Sequence, residues 1–168
     1  EQLDAFLRRT DASLVVTSTG SLEGNLLAVP SAMLDGDPTT RFIGRFDDQV
    51  GQAWRVRSNT PFAVDGVELD VVVGPRQSVP TEFLVTVDDV EAGRFPTGLS
   101  ASDTERVETI VLPVNAESAT TVRIEVAAST DTLTRDWYSN AFISMPFAIA
   151  EMRVGGLGVA SAGRVDTG

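Results

Sequence analysis

After its first dozen residues the chain alternates between apolar and polar positions. Residues 13–18 (SLVVTS) are rich in β-branched side chains and predict a first strand. In residues 53–57 (AWRVR), Trp54 and Val56 share one face, and Arg55 and Arg57 take the other. In residues 67–73 (VELDVVV), Val67, Leu69, Val71 and Val73 line a face opposite Glu68 and Asp70. Phe83, Val85 and Val87 alternate with Leu84 and Thr86, as Val122, Ile124 and Val126 do with Arg123 and Glu125. Residues 107–112 (VETIVL) are apolar enough to predict a strand covered on both faces. Residues 147–154 (FAIAEMRV) begin as another strand, but the apolar face slips at Glu151, the mark of a bulge, an edge or a liganded residue.

Turn signals divide these runs at Asp35-Gly36, Gly74-Pro75, Asp88-Asp89, Gly93 and Pro113. Helical spacing is confined to the first residues, where Leu3, Phe6 and Leu7 predict a short amphipathic turn. Many strands without a sustained helical period predict an all-β fold, an antiparallel sandwich or barrel. The expected organisation is a lead-in over residues 1–12, one domain over 13–157, and a small, polar tail or linker over 158–168. Trp54 belongs to an alternating strand and is expected in the core, as are Phe142, Met145 and Phe147.

Charge and missing residue types narrow the chemistry. With 24 acidic and 13 basic residues the net charge is −11, which repels phosphate backbones and anionic lipid. Nucleic acid is therefore not an expected partner. No apolar run is long enough to span a bilayer, and direct membrane insertion is not expected either. The chain has no His, no Cys and no Lys. The usual zinc and copper ligands, the Ser-His-Asp and Cys-His arrangements and Schiff-base chemistry are thereby excluded. Carboxylate chemistry such as glycoside hydrolysis remains, and it needs two carboxylates facing across a cleft. Asp88-Asp89 and Asp47-Asp48 are sequence neighbours whose side chains diverge, so no such pair declares itself and the chain is expected not to be an enzyme. It begins at Glu1, without Met, and reads as a piece of a larger exported protein.

The most informative run is residues 32–42, AMLDGDPTTRF. Calcium takes about six to eight oxygens at roughly 2.3–2.6 Å, mixing carboxylates with carbonyls. Gly36 and Pro38 provide the tight backbone that turns several carbonyls inward. The competing reading is a polar turn capped by its own Asp side chains. The run Ser31-Ala32-Met33-Leu34-Asp35-Gly36-Asp37-Pro38-Thr39-Thr40-Arg41-Phe42, followed by AWRVR and a Val-rich strand, resembles the discoidin group. These are the coagulation-factor type C domains and their relatives among carbohydrate-binding modules. The strand Val122-Arg123-Ile124-Glu125-Val126 and the closing residues 149–155 continue the likeness, which runs from about Leu14 to Leu157.

The resemblance implies an antiparallel β-sandwich of galactose-binding-like, jelly-roll type with a structural calcium ion. Carried over to this sequence, the ligands would be the carboxylates of Asp35 and Glu151, Thr40 through its hydroxyl and carbonyl, and the carbonyls of Ala32, Asp37 and Ala150. Phe42 stands where most members have Trp. The disulfide that ties the termini of animal members is absent, which leaves more of that tethering to the cation. The resemblance also implies ligand binding through loops at one end. Here the candidate is residues 135–142 (RDWYSNAF), in which Trp137 and Tyr138 stand among Arg135, Asp136 and Asn140. Sugars stack their C–H faces on such rings while the polar groups read hydroxyls. The alternative is that one of the two aromatics plugs the end of the sandwich; both cannot point inward from an extended strand. Arg41, Arg45 and Asp47-Asp48 either border the same mouth or are solvated charges.

The expected partners are thus a cell-wall polysaccharide or oligosaccharide and the rest of the chain's own parent protein, in an extracytoplasmic setting. Similar modules occur in cell-wall arabinofuranosyltransferases that handle arabinan and galactan. A structural or protein-docking sandwich without sugar binding is the other expectation.

Overall fold

The computed structural model describes residues 14–20, 30–37, 40–46 and 48–155. The helical lead-in and the polar tail lie outside the described residues. The first predicted strand is β1 (Leu14–Ser18), followed by a 3-10 turn at Pro30–Leu34 and the two-residue β2 (Phe42–Ile43). Next come β3 (Ala53–Val73), β4 (Val79–Val87), β5 (Val90–Pro96) and β6 (Arg106–Thr130). A short ribbon, β7 (Leu133–Arg135) with β8 (Phe142–Ser144), precedes β9 (Ala148–Val154). Every pairing among the described residues is antiparallel. Among the described residues no helix is long and apolar enough to cross a membrane.

The two runs at 53–57 and 67–73 belong to one strand that serves both layers of the sandwich. The first half of β3 lies between β1 and the second half of β6, which continues to β4 and β5. Its second half lies between β9 and the first half of β6, and β9 leads on to β2. Register shifts between Arg57 and Val67 break the β3–β6 ladder where the strand pair passes from one layer to the other. Bulges of this kind let a strand turn a corner between sheets.

Two predicted breaks proved internal to strands. Pro113 sits inside β6 at the shift that sets Val67 against Leu112 and Asp65 against Asn115. Having no N–H to donate, proline is tolerated there because the ladder is already interrupted. Gly93 lies within β5 at the Val85/Thr86 shift, its φ of 155° accommodating a bulge. Asp88-Asp89 does turn the chain, both residues taking left-handed φ values of 48° and 65° in the β4–β5 connection. Asp88 also ties this turn to β6, accepting from the backbone N–H groups of Thr120 and Thr121 and from the Thr120 hydroxyl. Those bonds, the Thr120 N–H foremost, lower its pKa.

The core lies between the layers and is centred on Trp54. Its ring meets Phe42 and Phe83 edge-on at centroid distances of 5.8 Å and stacks on Phe147 at 5.9 Å. Val56, Leu69, Val71, Val85, Ile124 and Met152 pack into the same cluster, as their alternation predicts. Three expectations fail here. Residues 107–112 are not covered on both faces, since Val107 and Val111 are exposed at 51% and 60%. Among the described residues this half of β6 pairs with β3 alone, and Val107 and Val111 face outward from it. Phe142 is not core but 63% exposed on the ribbon, and Met145 is only half-buried. Both belong to the segment that leaves the sandwich before β9 starts.

Two buried glutamines order the loop between β2 and β3. Gln49 accepts from the Phe147 N–H at 2.9 Å and donates to the Arg45 carbonyl at 2.8 Å. Gln52 accepts from the Arg45 N–H and donates toward the Arg45 and Asp48 carbonyls. Gln52→Leu is expected to cost about 1–3 kcal/mol, because the change leaves buried backbone groups without partners. Chemical denaturation measures this directly, and a loss below about 0.5 kcal/mol would show that water replaces the amide.

Candidate functional site

The loop after the 3-10 turn closes on itself through the residues singled out as ligands. The Asp35 carboxylate accepts from the Asp37 N–H at 2.8 Å through Oδ1 and from the Thr40 hydroxyl at 2.5 Å through Oδ2. The same hydroxyl lies 3.0 Å from the Asp37 carbonyl oxygen, which also accepts from the Thr40 N–H at 3.2 Å. Gly36, at φ 74°, gives the turn its left-handed step. Ala32, in the 3-10 turn, is buried, and that turn packs against β9.

On β9 the slip read from the sequence is a bulge. Asp70 pairs with Glu151 and Val71 with Ile149, so Ala150 has no partner in the β3 register. Glu151 Oε1 is buried and accepts no hydrogen bond. Burial pushes the Glu151 carboxyl up to about 8, and the nearby Asp35, Asp70 and Asp37 charges push the same way, against the pull of Arg153. Asp35, Asp37 and Glu151 are therefore close enough to feel one another, although they come from opposite ends of the chain. Among the described residues no three acidic side chains form a ready-made cage. A cation here would need carbonyl and hydroxyl oxygens besides the carboxylates, the mixed donor set that suits calcium.

Beside Glu151, Arg153 neutralises the other carboxylates of this face. It donates to Asp70 at 2.7 and 3.1 Å and to Glu68 at 2.8 Å. Burial raises the Asp70 pKa, but the bonds from Arg153 and Thr109 outweigh it and the net shift is downward. Glu151, whose buried Oε1 accepts no hydrogen bond, is the unsatisfied member of the group.

The second candidate is the β7–β8 ribbon. Its base is fastened to the sandwich by Thr132, whose N–H donates to the Ser78 hydroxyl and whose hydroxyl donates to the Gln77 carbonyl. At the tip, Asp136 accepts from the Ser139 N–H at 2.9 Å and hydroxyl at 2.6 Å. Those two bonds, the hydroxyl first, lower its pKa. Asn140, at φ 60°, closes the turn and accepts from Arg135 at 2.9 Å. Trp137 and Tyr138 crown it, exposed at 95% and 99%, so neither plugs the sandwich. Asp136 and Asn140 shape the turn, and Arg135 braces it while lying 4.9 Å from the centroid of the Phe142 ring. Phe142 thus joins the exposed aromatic group. Its signal in the sequence was the mirrored spacing of Arg135 and Phe142 about the turn, which makes them cross-strand partners.

Arg41 lies 3.7 Å from Glu105, and the exposed Arg45 engages the buried glutamines through its backbone. Neither is drawn to the ribbon tip by a described contact. Asp47 lies outside the described residues.

No protein-family model and no curated protein matches the sequence. Solved structures do share the fold. The family 32 carbohydrate-binding module of NanJ from C. perfringens, in complex with galactose, aligns with a TM-score of 0.55 at 14% identity over 84% of this chain and 92% of its own. Chitosan-binding module 2 of a chitosanase/glucanase from Paenibacillus sp. IK-5, in complex with chitotriose, aligns with a TM-score of 0.53 at 11% identity, covering 85% and 95%. The arabinofuranosyltransferase AftD from Mycobacteria aligns with a TM-score of 0.53 at 13% identity over 85% of this chain, which spans only 11% of that enzyme. These likenesses identify the discoidin-like, galactose-binding-like β-sandwich fold.

Proposed function

We propose that this domain is a non-catalytic, calcium-stabilised carbohydrate-binding module that engages an oligosaccharide through the tip of the β7–β8 ribbon. The observation that carries this reading is the near-complete exposure of the adjacent Trp137 and Tyr138 on a turn braced by its own hydrogen bonds. Exposing two large rings forgoes the gain from burying them, and a braced turn presents them at little further entropic cost on binding. Rings with polar neighbours suit the alternating C–H and hydroxyl faces of a pyranose or furanose. The sugar ligands of the NanJ and Paenibacillus modules support the same ligand class.

The bound calcium is proposed to sit between the Asp35 loop and the β9 bulge. Asp35, Thr40 and Glu151 would supply side-chain oxygens, and Ala32, Asp37 and Ala150 carbonyl oxygens. The buried, unpartnered Glu151 oxygen supports that assignment. The likeness to a small part of an arabinofuranosyltransferase supports a place within a larger exported cell-envelope glycosyltransferase acting on arabinan or galactan.

Calorimetric titration of the domain with arabinan, galactan and galactose-type oligosaccharides tests the reading. Trp137→Ala is expected to weaken binding about 5- to 150-fold, since stacking of flat rings on an aromatic side chain contributes about 1–3 kcal/mol. Saturable binding untouched by Trp137→Ala would move the site away from the ribbon. Absence of binding across the panel would favour the docking-module reading, for which the same exposed aromatics are anchors.

A further inference from the structure

The outer face of the β1–β3–β6–β4 layer carries a third feature, built from residues of neither the ribbon nor the cation loop. The register places Thr17 opposite Arg55, Arg55 opposite Arg123, and Arg123 opposite Thr86. Arg57, two residues along β3, points to the same face. Like charges directly opposite one another in a sheet are destabilising. This chain, at net charge −11, nonetheless puts three of its 13 basic residues on neighbouring rungs.

Local carboxylates only partly offset this charge. Arg123 donates to Glu125 at 2.6 Å through one nitrogen. Arg55 lies 4.0 Å from Asp89, a side chain 88% exposed. Arg57 has no hydrogen-bond or ion-pair partner among the described residues. A groove of about 160 Å³ opens on this face, lined by Thr17, Ser18, Thr19, Ala53, Arg55 and Arg123, with Trp54 beneath. Beyond Thr19, the Arg45 side chain packs where a β-carbon on Gly20 would stand.

We infer that this groove is an oxyanion-binding site, taking a carboxylate or sulfate-like group such as an acidic saccharide carries. The guanidinium groups of Arg55 and Arg123, with the Thr17 hydroxyl at the rim, supply the donors that planar or tetrahedral oxyanions require. A bound anion also relieves the repulsion across the β3–β6 pair. The saccharide part rests on the carbohydrate reading above; the oxyanion part stands without it.

Calorimetry on Trp137→Ala protein separates the two sites, because the ribbon is disabled while the groove is intact. Inorganic sulfate, trigalacturonate and a neutral galactose trimer are titrated at low and high salt. The expected result is binding of the anions and not of the neutral trimer, with affinity falling as salt rises. Arg55→Gln or Arg123→Gln is expected to weaken it about tenfold or more. Both replacements remove a like-charge opposition and should leave the melting temperature within a few degrees; Thr17→Val reports on the groove without touching charge. Sulfate and trigalacturonate binding alike shows a general oxyanion site, and trigalacturonate alone shows a site for acidic sugars. Failure of both anions, or binding that neither arginine replacement alters, would overturn the inference. Anion binding by the ribbon would instead appear only in the parent protein, not in Trp137→Ala.

Discussion

Replacing Trp54 with alanine is expected to remove about 3–5 kcal/mol of folding stability. The side chain is 1% exposed and touches three other rings, so truncation leaves a cavity walled by Phe42, Phe83 and Phe147. It also removes the contact of the indole N–H with the Met152 sulfur at 3.3 Å, which joins the two layers. Against a total stability of about 5–15 kcal/mol, this brings the domain near its unfolding threshold. A chain of this size loses roughly 2–4 °C of melting temperature per kcal/mol, so a drop of about 6–20 °C is expected by calorimetry. Trp54→Phe keeps most of the volume and is expected to cost less than half as much. Trp137→Ala, on a ring in solvent, should change stability by no more than about 0.5 kcal/mol. Equal losses at the two tryptophans would refute this division between core and display.

The second large effect concerns Glu151 and calcium. In chelated protein its folded-state pKa of about 8 stands above the ordinary 4.5, so the folded state holds a proton that the unfolded state has released. Stability is therefore expected to fall as the pH rises from about 4.5 to about 8. The group is half-exposed, and after solvent screening the expected loss is on the order of 2 kcal/mol. Asp70, Asp88 and Asp136 shift the opposite way, and their contributions are lost only as the pH falls below the normal carboxylate range. The two windows do not overlap at neutral pH.

Calcium should reverse the neutral-pH loss by stabilising the ionised carboxylate, at a cost in protons released. Glu151→Gln is expected to flatten the slope in chelated protein and to abolish the stabilisation by calcium. Asp35→Asn should weaken the calcium effect while keeping part of the turn, since an amide oxygen still accepts from Asp37. Melting temperatures across pH 4.5–8.5, with and without calcium, decide the matter. A flat profile in chelated parent protein would refute the Glu151 assignment, and calcium stabilisation that persists in Glu151→Gln would place the ion elsewhere.

Much of this was legible because a strand with one buried face writes its orientation into every second residue. The alternation around Trp54, Leu69, Val85 and Ile124 predicted their burial, and the broken phase at Glu151, read as a bulge, an edge or a liganded residue, coincides with a bulge of β9. Alternation reports on one strand at a time, however. It could not show that residues 53–57 and 67–73 are halves of one strand, because joining them depends on bulges that β6 imposes from more than forty residues away. Residues 107–112 looked doubly covered because apolar content does not say whether a sheet lies above. Phe142 misled for the same reason, since nothing in its own neighbourhood reveals that the ribbon leaves the core.

Residue order alone was enough for the all-β class, the inward faces of most strands, the exclusion of histidine, cysteine and lysine chemistry, and the two segments with candidate chemistry. Which distant groups meet came from the folded arrangement. It brought Asp35 and Asp37 within electrostatic reach of Glu151, raised both ribbon aromatics into solvent, and set Arg55 against Arg123 across the β3–β6 ladder. The physical reason is one of range. Backbone alternation and turn preference act over a few residues, whereas charge, cavity and coordination depend on distances in space that long-range strand pairing alone establishes.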